Sequence, residues 1–179
     1  MRQRVKLGMA MLVLTESVFF FMLILAFVYF RAEGIATAAA SLNPVVTALY
    51  TACLIASSFT MWRARASAAK EPNGARLWLG LTFALGCAFL AGQGSEYFRL
   101  LRQGVTISQG LFGTTFFTLA GIHGLHVIAG LLLLAILFGI TAHRGEREAV
   151  AVEAIAMYWY FVDAVWIVIF SVVYLWTFL

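Results

Sequence analysis

Charge is scarce in this chain. Of its 179 residues, 11% are Asp, Glu, Lys or Arg, while 63% are hydrophobic. Soluble domains carry about 25% charged and about 45–50% apolar residues. A body of this size cannot bury such an excess of apolar surface from water, so a water-soluble fold is excluded and a bilayer is the fitting solvent. Cysteine is scarcer still. Cys53 and Cys87 both lie inside apolar runs and read as small packing residues, not as a disulfide. There is no CxxC or CxxCH, which argues against covalently attached haem c. Histidine occurs three times, at His123, His126 and His143, too few ligands for a redox centre. The net charge of +4 does not indicate nucleic-acid binding, because the basic residues fill the gaps between apolar runs and form no stripe with aromatics. They read instead as topology signals and contacts to anionic lipid.

What is abundant is long apolar sequence. A helix needs about 20 apolar residues to cross the hydrocarbon core, and five runs qualify: roughly 7–30, 43–62, 76–98, 111–142 and 150–178. Lipid admits no open sheet edge, so each run is predicted as a helix. The last two are longer than a crossing needs and should tilt or project. The predicted fold is all-α: one transmembrane domain over 1–179, a bundle of five helices. The first run has the outline of a signal peptide, with Arg2, Arg4 and Lys6 before it and small residues at Ala36–Ala40 after it. Its apolar stretch of about 24 residues is too long for an h-region, and it carries Glu16, so it is expected to stay as a span. Nine of the twelve Lys and Arg fall on one set of alternate segments (Arg2, Arg4, Lys6, Arg63, Arg65, Lys70, Arg76, Arg144, Arg147). Three fall on the other, Arg31, Arg99 and Arg102. The positive-inside rule then places the N-terminus in the cytoplasm and the C-terminus outside. The most polar loop, from Ser67 to Gly74, faces the cytoplasm.

Ionisable groups inside a span cost about 2.5–3.5 kcal/mol each, so each is a candidate site. Glu16 lies in an otherwise apolar stretch. It is either a carboxyl that hands on protons from a low-dielectric position or one hydrogen-bonded to a neighbouring helix. Glu96 lies near the outer end of the third span, one turn after Gln93. His123 and His126 share one helix face. One face cannot supply haem with two axial ligands on opposite sides of the iron, and copper or zinc would want a third ligand. Hydrogen bonds to a neighbouring helix fit better, with Gly121, Gly124 and Gly130 allowing close approach. Glu153 opens the fifth run, where a helix dipole would favour it. Asp163 follows about 15 Å further along. The pairings open to either acid are those histidines or the loop arginines. The aromatics of this run, among them Tyr158, Trp159, Tyr160, Trp166, Tyr174 and Trp176, read as core packing in the middle and as an interfacial belt towards the ends.

In order, the spans LGMAMLVLTESVFFFMLILAFVYF, LNPVVTALYTACLIASSFTM, GLTFALGCAFLAGQGSEYF, TTFFTLAGIHGLHVIAG and EAIAMYWYFVDAVWIVIFSVVYLW resemble subunit III of the haem-copper cytochrome c and quinol oxidases. The most specific match is the His-Gly-x-His-Val segment around His123 and His126. The resemblance covers all five spans and is to the short form, without the first two helices of seven-helix members. It departs from the family at Tyr160, which stands where the family usually has histidine in Trp-His-Phe-Val-Asp.

The resemblance implies a non-catalytic subunit without cofactors of its own, in the bacterial plasma membrane. Haem and copper would sit in partner subunits, the partners being the catalytic subunit I and subunit II. Subunit I would pass electrons from cytochrome c or quinol to oxygen. This subunit would stabilise it, support its proton uptake and hold phospholipid in a cleft. Glu16 matches the family's intramembrane carbodiimide-reactive carboxyl. Glu96, His123, His126, Glu153 and Asp163 match its polar positions, carried over as structural or lipid-linked. Tyr160 keeps open a subunit III-like partner of a nitric oxide reductase. A stand-alone proton or solute transporter using Glu16 and Asp163 is the reading from another class. An odd number of helices without evident repeats speaks against it.

Overall fold

A computed structural model describes residues 2–30, 42–68, 72–108, 110–140 and 146–176. The Ala36–Ala40 stretch, His143 and the ends of the last two predicted runs lie outside the described residues. The elements are α1 (Arg2–Phe30), α2 (Pro44–Ser67), α3 (Pro72–Arg102), α4 (Leu111–Ile140) and α5 (Glu146–Phe170), the last continued by a π-helical turn, Ser171–Leu175. All five helices are long and apolar enough to cross a membrane, and there is no strand among the described residues. The predicted all-α bundle is therefore the observed one. The helices begin earlier or end later than their apolar runs: α1 by five residues at its start, α2 by five at its end, α3 by four at each end. Hydropathy marks the hydrocarbon crossing, whereas the backbone goes on satisfying its own hydrogen bonds through the charged interfacial residues.

Local chemistry sets the ends. Asn43 accepts a hydrogen bond from the Val46 N–H at 3.2 Å, with Pro44 at the first helical position, the two preferred start residues acting together. After α3, Gly104 takes a positive φ of 80°, and the Val105 N–H returns to the Leu100 carbonyl at 3.0 Å, closing the helix as a left-handed cap does. The chain then folds tightly onto the start of α4. A Cβ on Gly113 would stand 2.1 Å from the Thr106 carbonyl oxygen.

Helix α5 is the centre. It packs against α1, α2 and α4; α3 packs against α2 and α4, and α1 against α4. Half of the apolar window of α5 is buried against 11% of that of α1, so α1 is the outermost helix. A ladder of hydrogen bonds sets the register of α2 against α5. Trp159 Nε1 donates to Ser57 Oγ at 2.9 Å, and Trp166 Nε1 to Thr51 Oγ1 at 3.0 Å. Further along, Tyr174 Oη and Thr47 Oγ1 both donate to Glu96 Oε2, at 2.7 and 3.0 Å. As positions rise on α5 they fall on α2, so the two run antiparallel. Trp159 and Trp166 are seven residues apart, which returns to the same face of an α-helix. Tyr174 is eight further on, and the wider turn at Ser171–Leu175 absorbs the extra residue and keeps it on that face.

Glycine governs how closely the other helices approach. A Cβ on Gly86 of α3 would come within 2.8 Å of the Trp159 ring, and one on Gly130 of α4 within 2.9 Å of it. The indole is thus clasped between two bare stretches of backbone, the small-residue contact of membrane helices. The approach expected at Gly130 is observed. At Gly124 nothing lies within 4 Å, and Gly121 faces only the Tyr97 hydroxyl, at 3.4 Å.

Gly130→Val should therefore displace the indole and lower stability by about 1–3 kcal/mol. The check is thermal unfolding in detergent, followed by tryptophan fluorescence. Gly124→Ala, with open space around it, should melt like the parent. Equal effects at the two glycines would contradict the clasp.

Candidate functional site

The intramembrane polar groups fall at three depths. At the end where α1 and α5 begin and α2 finishes, Glu153 Oε1 receives Lys6 Nζ at 2.7 Å and Arg65 Nη2 at 3.3 Å. One carboxylate ties together three helices. The helix-dipole reading of Glu153 does not hold, because α5 begins at Glu146. Glu153 is therefore past the first turn, beyond which the dipole has little effect. Of the pairings open to it, the arginine is the observed one. The cations are 39% and 48% exposed, so the contact is worth well under about 1 kcal/mol per pair and acts mainly on geometry.

At mid-depth, Glu16 of α1 meets His126 of α4, Oε2 to Nε2, at 3.2 Å. The other ring nitrogen, Nδ1, lies 2.9 Å from the Ile122 carbonyl. A carbonyl only accepts, so Nδ1 carries a hydrogen. Two states then satisfy the pair: an imidazolium donating to a carboxylate, or a neutral imidazole accepting from the carboxylic acid. In each, one proton is shared between α1 and α4. The Tyr158 hydroxyl donates to the His126 carbonyl at 3.1 Å, which attaches the same point to α5.

His123 lies on the same face one turn away and is held differently. It is fully buried, stacked on Trp166 with centroids 4.9 Å apart and planes 27° apart, and edged by Phe20 and Phe89 at 6.3 and 6.1 Å. Neither ring nitrogen has a hydrogen-bond partner among the described residues. The hydrogen bond expected of both histidines is found at His126, and ring packing replaces it at His123. Asp163, 4% exposed, accepts from the Ser58 hydroxyl of α2 through Oδ2. It pairs with neither histidine. Its Oδ1, and the hydroxyl of Tyr160 three residues before it, have no partner among the described residues.

Near the far end, Glu96 is 4% exposed and fully engaged. Oε2 takes Tyr174 and Thr47, and Oε1 takes Arg99 Nη2 at 2.8 Å. The amide nitrogen of Gln93, one turn before, lacks a partner among the described residues. Cys53 and Cys87 are both free thiols. No group of three or more His, Cys, Asp or Glu among the described residues is placed to hold a metal ion.

All six candidate residues thus lie at helix contacts, but at separate depths and in no single cluster. Apart from the arginine on Glu153, sequence reasoning missed their partners. Thr47, Thr51 and Ser58 sit on one face of α2 by their spacing of four and seven, with Ser57 beside it, and these hydroxyls meet Glu96, Trp166, Asp163 and Trp159. That pairing of a hydroxyl face with an indole face was the available signal. Lys6 gave none, because interfacial basic residues also serve topology, whereas Arg65 is one of the loop arginines open to Glu153 from the sequence.

These features define a polytopic α-helical membrane protein whose buried polar groups join its helices to one another. The chain belongs to the cytochrome c oxidase subunit III family, matching it over residues 1–178. It is 38% identical over 179 residues to cytochrome c oxidase subunit 3 of Synechocystis sp., covering 94% of this chain and 74% of that one. It is 39% identical over 136 residues to a probable cytochrome c oxidase subunit 3 of Nocardia farcinica, covering 74% and 67%. With subunit 3 of the cytochrome bo(3) ubiquinol oxidase of Pseudomonas aeruginosa it shares 42% over 132 residues, covering 70% of this chain and 61% of the relative.

Tyr174→Phe removes a donor from Glu96 and the reason for the wide turn to hold its phase. Amide exchange across 171–175 should speed up about tenfold, as losing a hydrogen bond to a charged group of about 1.5 kcal/mol allows. Hydrogen-exchange mass spectrometry of the protein in detergent measures it. An unchanged rate would separate the turn from Glu96.

Proposed function

We propose that this chain is a non-catalytic subunit of a haem-copper terminal oxidase, packed against the catalytic subunit I and accompanied by subunit II in a bacterial plasma membrane. Electrons from cytochrome c or quinol reach oxygen in subunit I, which holds the haem and copper. This chain stabilises that subunit, holds phospholipid and supports proton uptake. The family membership over nearly the whole chain is the observation that carries the reading. The relatives serve both donor classes, one named for cytochrome c and another for ubiquinol.

The side-chain arrangement agrees with an accessory role. Glu96 and Glu153 are consumed in holding helices together, and Glu16 and His126 share a proton between an outer and an inner helix. Glu16, whose side chain is 33% exposed, is the carboxyl in this reading that exchanges protons next to subunit I. Glu96, His123, His126, Glu153 and Asp163 position helices or border lipid. The basic end formed by Lys6, Arg63, Arg65 and Arg76 faces the cytoplasm, with the N-terminus, and the C-terminus lies outside. Tyr160, whose hydroxyl is unpartnered within the described residues, favours a second reading with a nitric oxide reductase as partner.

Affinity purification from gently solubilised membranes, with an optical spectrum and mass spectrometry, tests this. Haem bands with an oxidase subunit I are expected. A nitric oxide reductase subunit would move the assignment to the second reading, and a colourless, partnerless preparation would overturn both. In the same preparation a hydrophobic carbodiimide should label one site, and Glu16→Gln should abolish the adduct by intact mass. Labelling that survives this substitution would remove Glu16 from its role.

A further inference from the structure

Two arginines at the basic end of the bundle have a partner that neutralises no charge. The Arg63 guanidinium of α2 lies over the Trp78 ring of α3, 5.1 Å from its centroid. The Arg76 guanidinium of α3 lies over the Phe138 ring of α4, at 4.8 Å. Neither has a carboxylate partner among the described residues. Glu153, an acid whose side chain is described at this end, is already engaged by Lys6 and Arg65. A guanidinium lying on a ring commits its face and leaves its in-plane N–H donors pointing outwards, the geometry that takes phosphate oxygens.

We propose that this end of α3 seats anionic phospholipid headgroups, one on Arg63 and one on Arg76. Positions 76 and 78 are about 200° apart around a helix, so the two pairs lie on opposite flanks of α3. One seat is in the groove between α2 and α3, the other in the groove between α3 and α4. The second groove is shaped by Gly80, one turn after Arg76. A Cβ there would stand 3.8 Å from the Phe138 ring, so the ring lies against α3 beneath the guanidinium.

The occupant is a lipid and not a soluble anion because each seat continues into exposed apolar surface. Phe138 is 41% exposed beneath Arg76, and Phe59, one turn before Arg63 on the same helix face, is 57% exposed. Both lie towards helix ends that finish or begin in the basic segment, where lipid phosphates sit. An acyl chain follows the headgroup down each flank. This names a place for the lipid of the preceding reading but does not depend on the oxidase assignment.

The test places the protein, with whatever subunits accompany it, in nanodiscs of phosphatidylcholine with a minor fraction of phosphatidylglycerol. Native mass spectra then count the phosphatidylglycerol that stays bound on release. The parent should retain up to two. Arg63→Gln and Arg76→Gln should each lower occupancy of one about fivefold, and the double variant should lower both. If the double variant does not fold, the single variants decide. Retention unchanged in the glutamine variants overturns the proposal. So does displacement of the lipid by millimolar inorganic phosphate, which would make the seats soluble-anion sites. Loss of a co-purifying subunit with lipid retained also overturns it, and would assign the arginines to an acidic protein surface.

Discussion

Trp159 reaches three helices at once. Its N–H donates to Ser57 of α2, and its ring fills the space between Gly86 of α3 and Gly130 of α4. In a bilayer, association of helices gains little from burying apolar surface, since lipid tails are as apolar as leucine. Close fit and cross-helix hydrogen bonds must supply it. The indole gives both at one point, and the rest of the bundle is arranged around the helix that carries it. Trp166 and Tyr174 repeat the contact to α2 and α3 at greater distance along α5, and Tyr158 extends it to α4.

Around that axis the ionisable groups are distributed by depth. Each end has an acid paired with cations, Glu153 with Lys6 and Arg65, Glu96 with Arg99. The middle has groups that meet no cation except through a shared proton, Glu16 with His126 and Asp163 with Ser58. The cost of an isolated charge grows towards the bilayer centre. Acids with full ion pairs are therefore tolerated at the edges, and acids with hydroxyl or imidazole partners are found inside.

The helices, their number and their membrane setting were legible from apolar run length alone, because a bilayer imposes one length scale and one backbone geometry. Helix ends were not, because the charged residues of Arg2–Lys6 and Arg63–Ser67 continue the helix without registering as apolar. Of the candidate residues, each was visible as a costly group inside a span. Which partner each takes was not, since Glu16 and His126 are 110 positions apart and nothing local links them. His123 and His126 look equivalent in sequence. The packing of α5 separates them, setting Trp166 against one and leaving the other to face α1. The family resemblance rested on segments from all five spans, and the comparison with relatives shows the same family.

The outermost position of α1 has a consequence for synthesis. This helix leaves the ribosome well before α4 and α5, the helices it packs against most. At about 5–20 residues per second, roughly ten seconds pass before those helices exist. Through that interval Glu16 has no His126 and Lys6 has no Glu153, and α1 is held by hydropathy alone. The insertion machinery, and not the finished bundle, must shelter the carboxyl until the fourth helix arrives. A chain stalled or cut before His126 leaves that carboxyl without its imidazole partner at mid-depth.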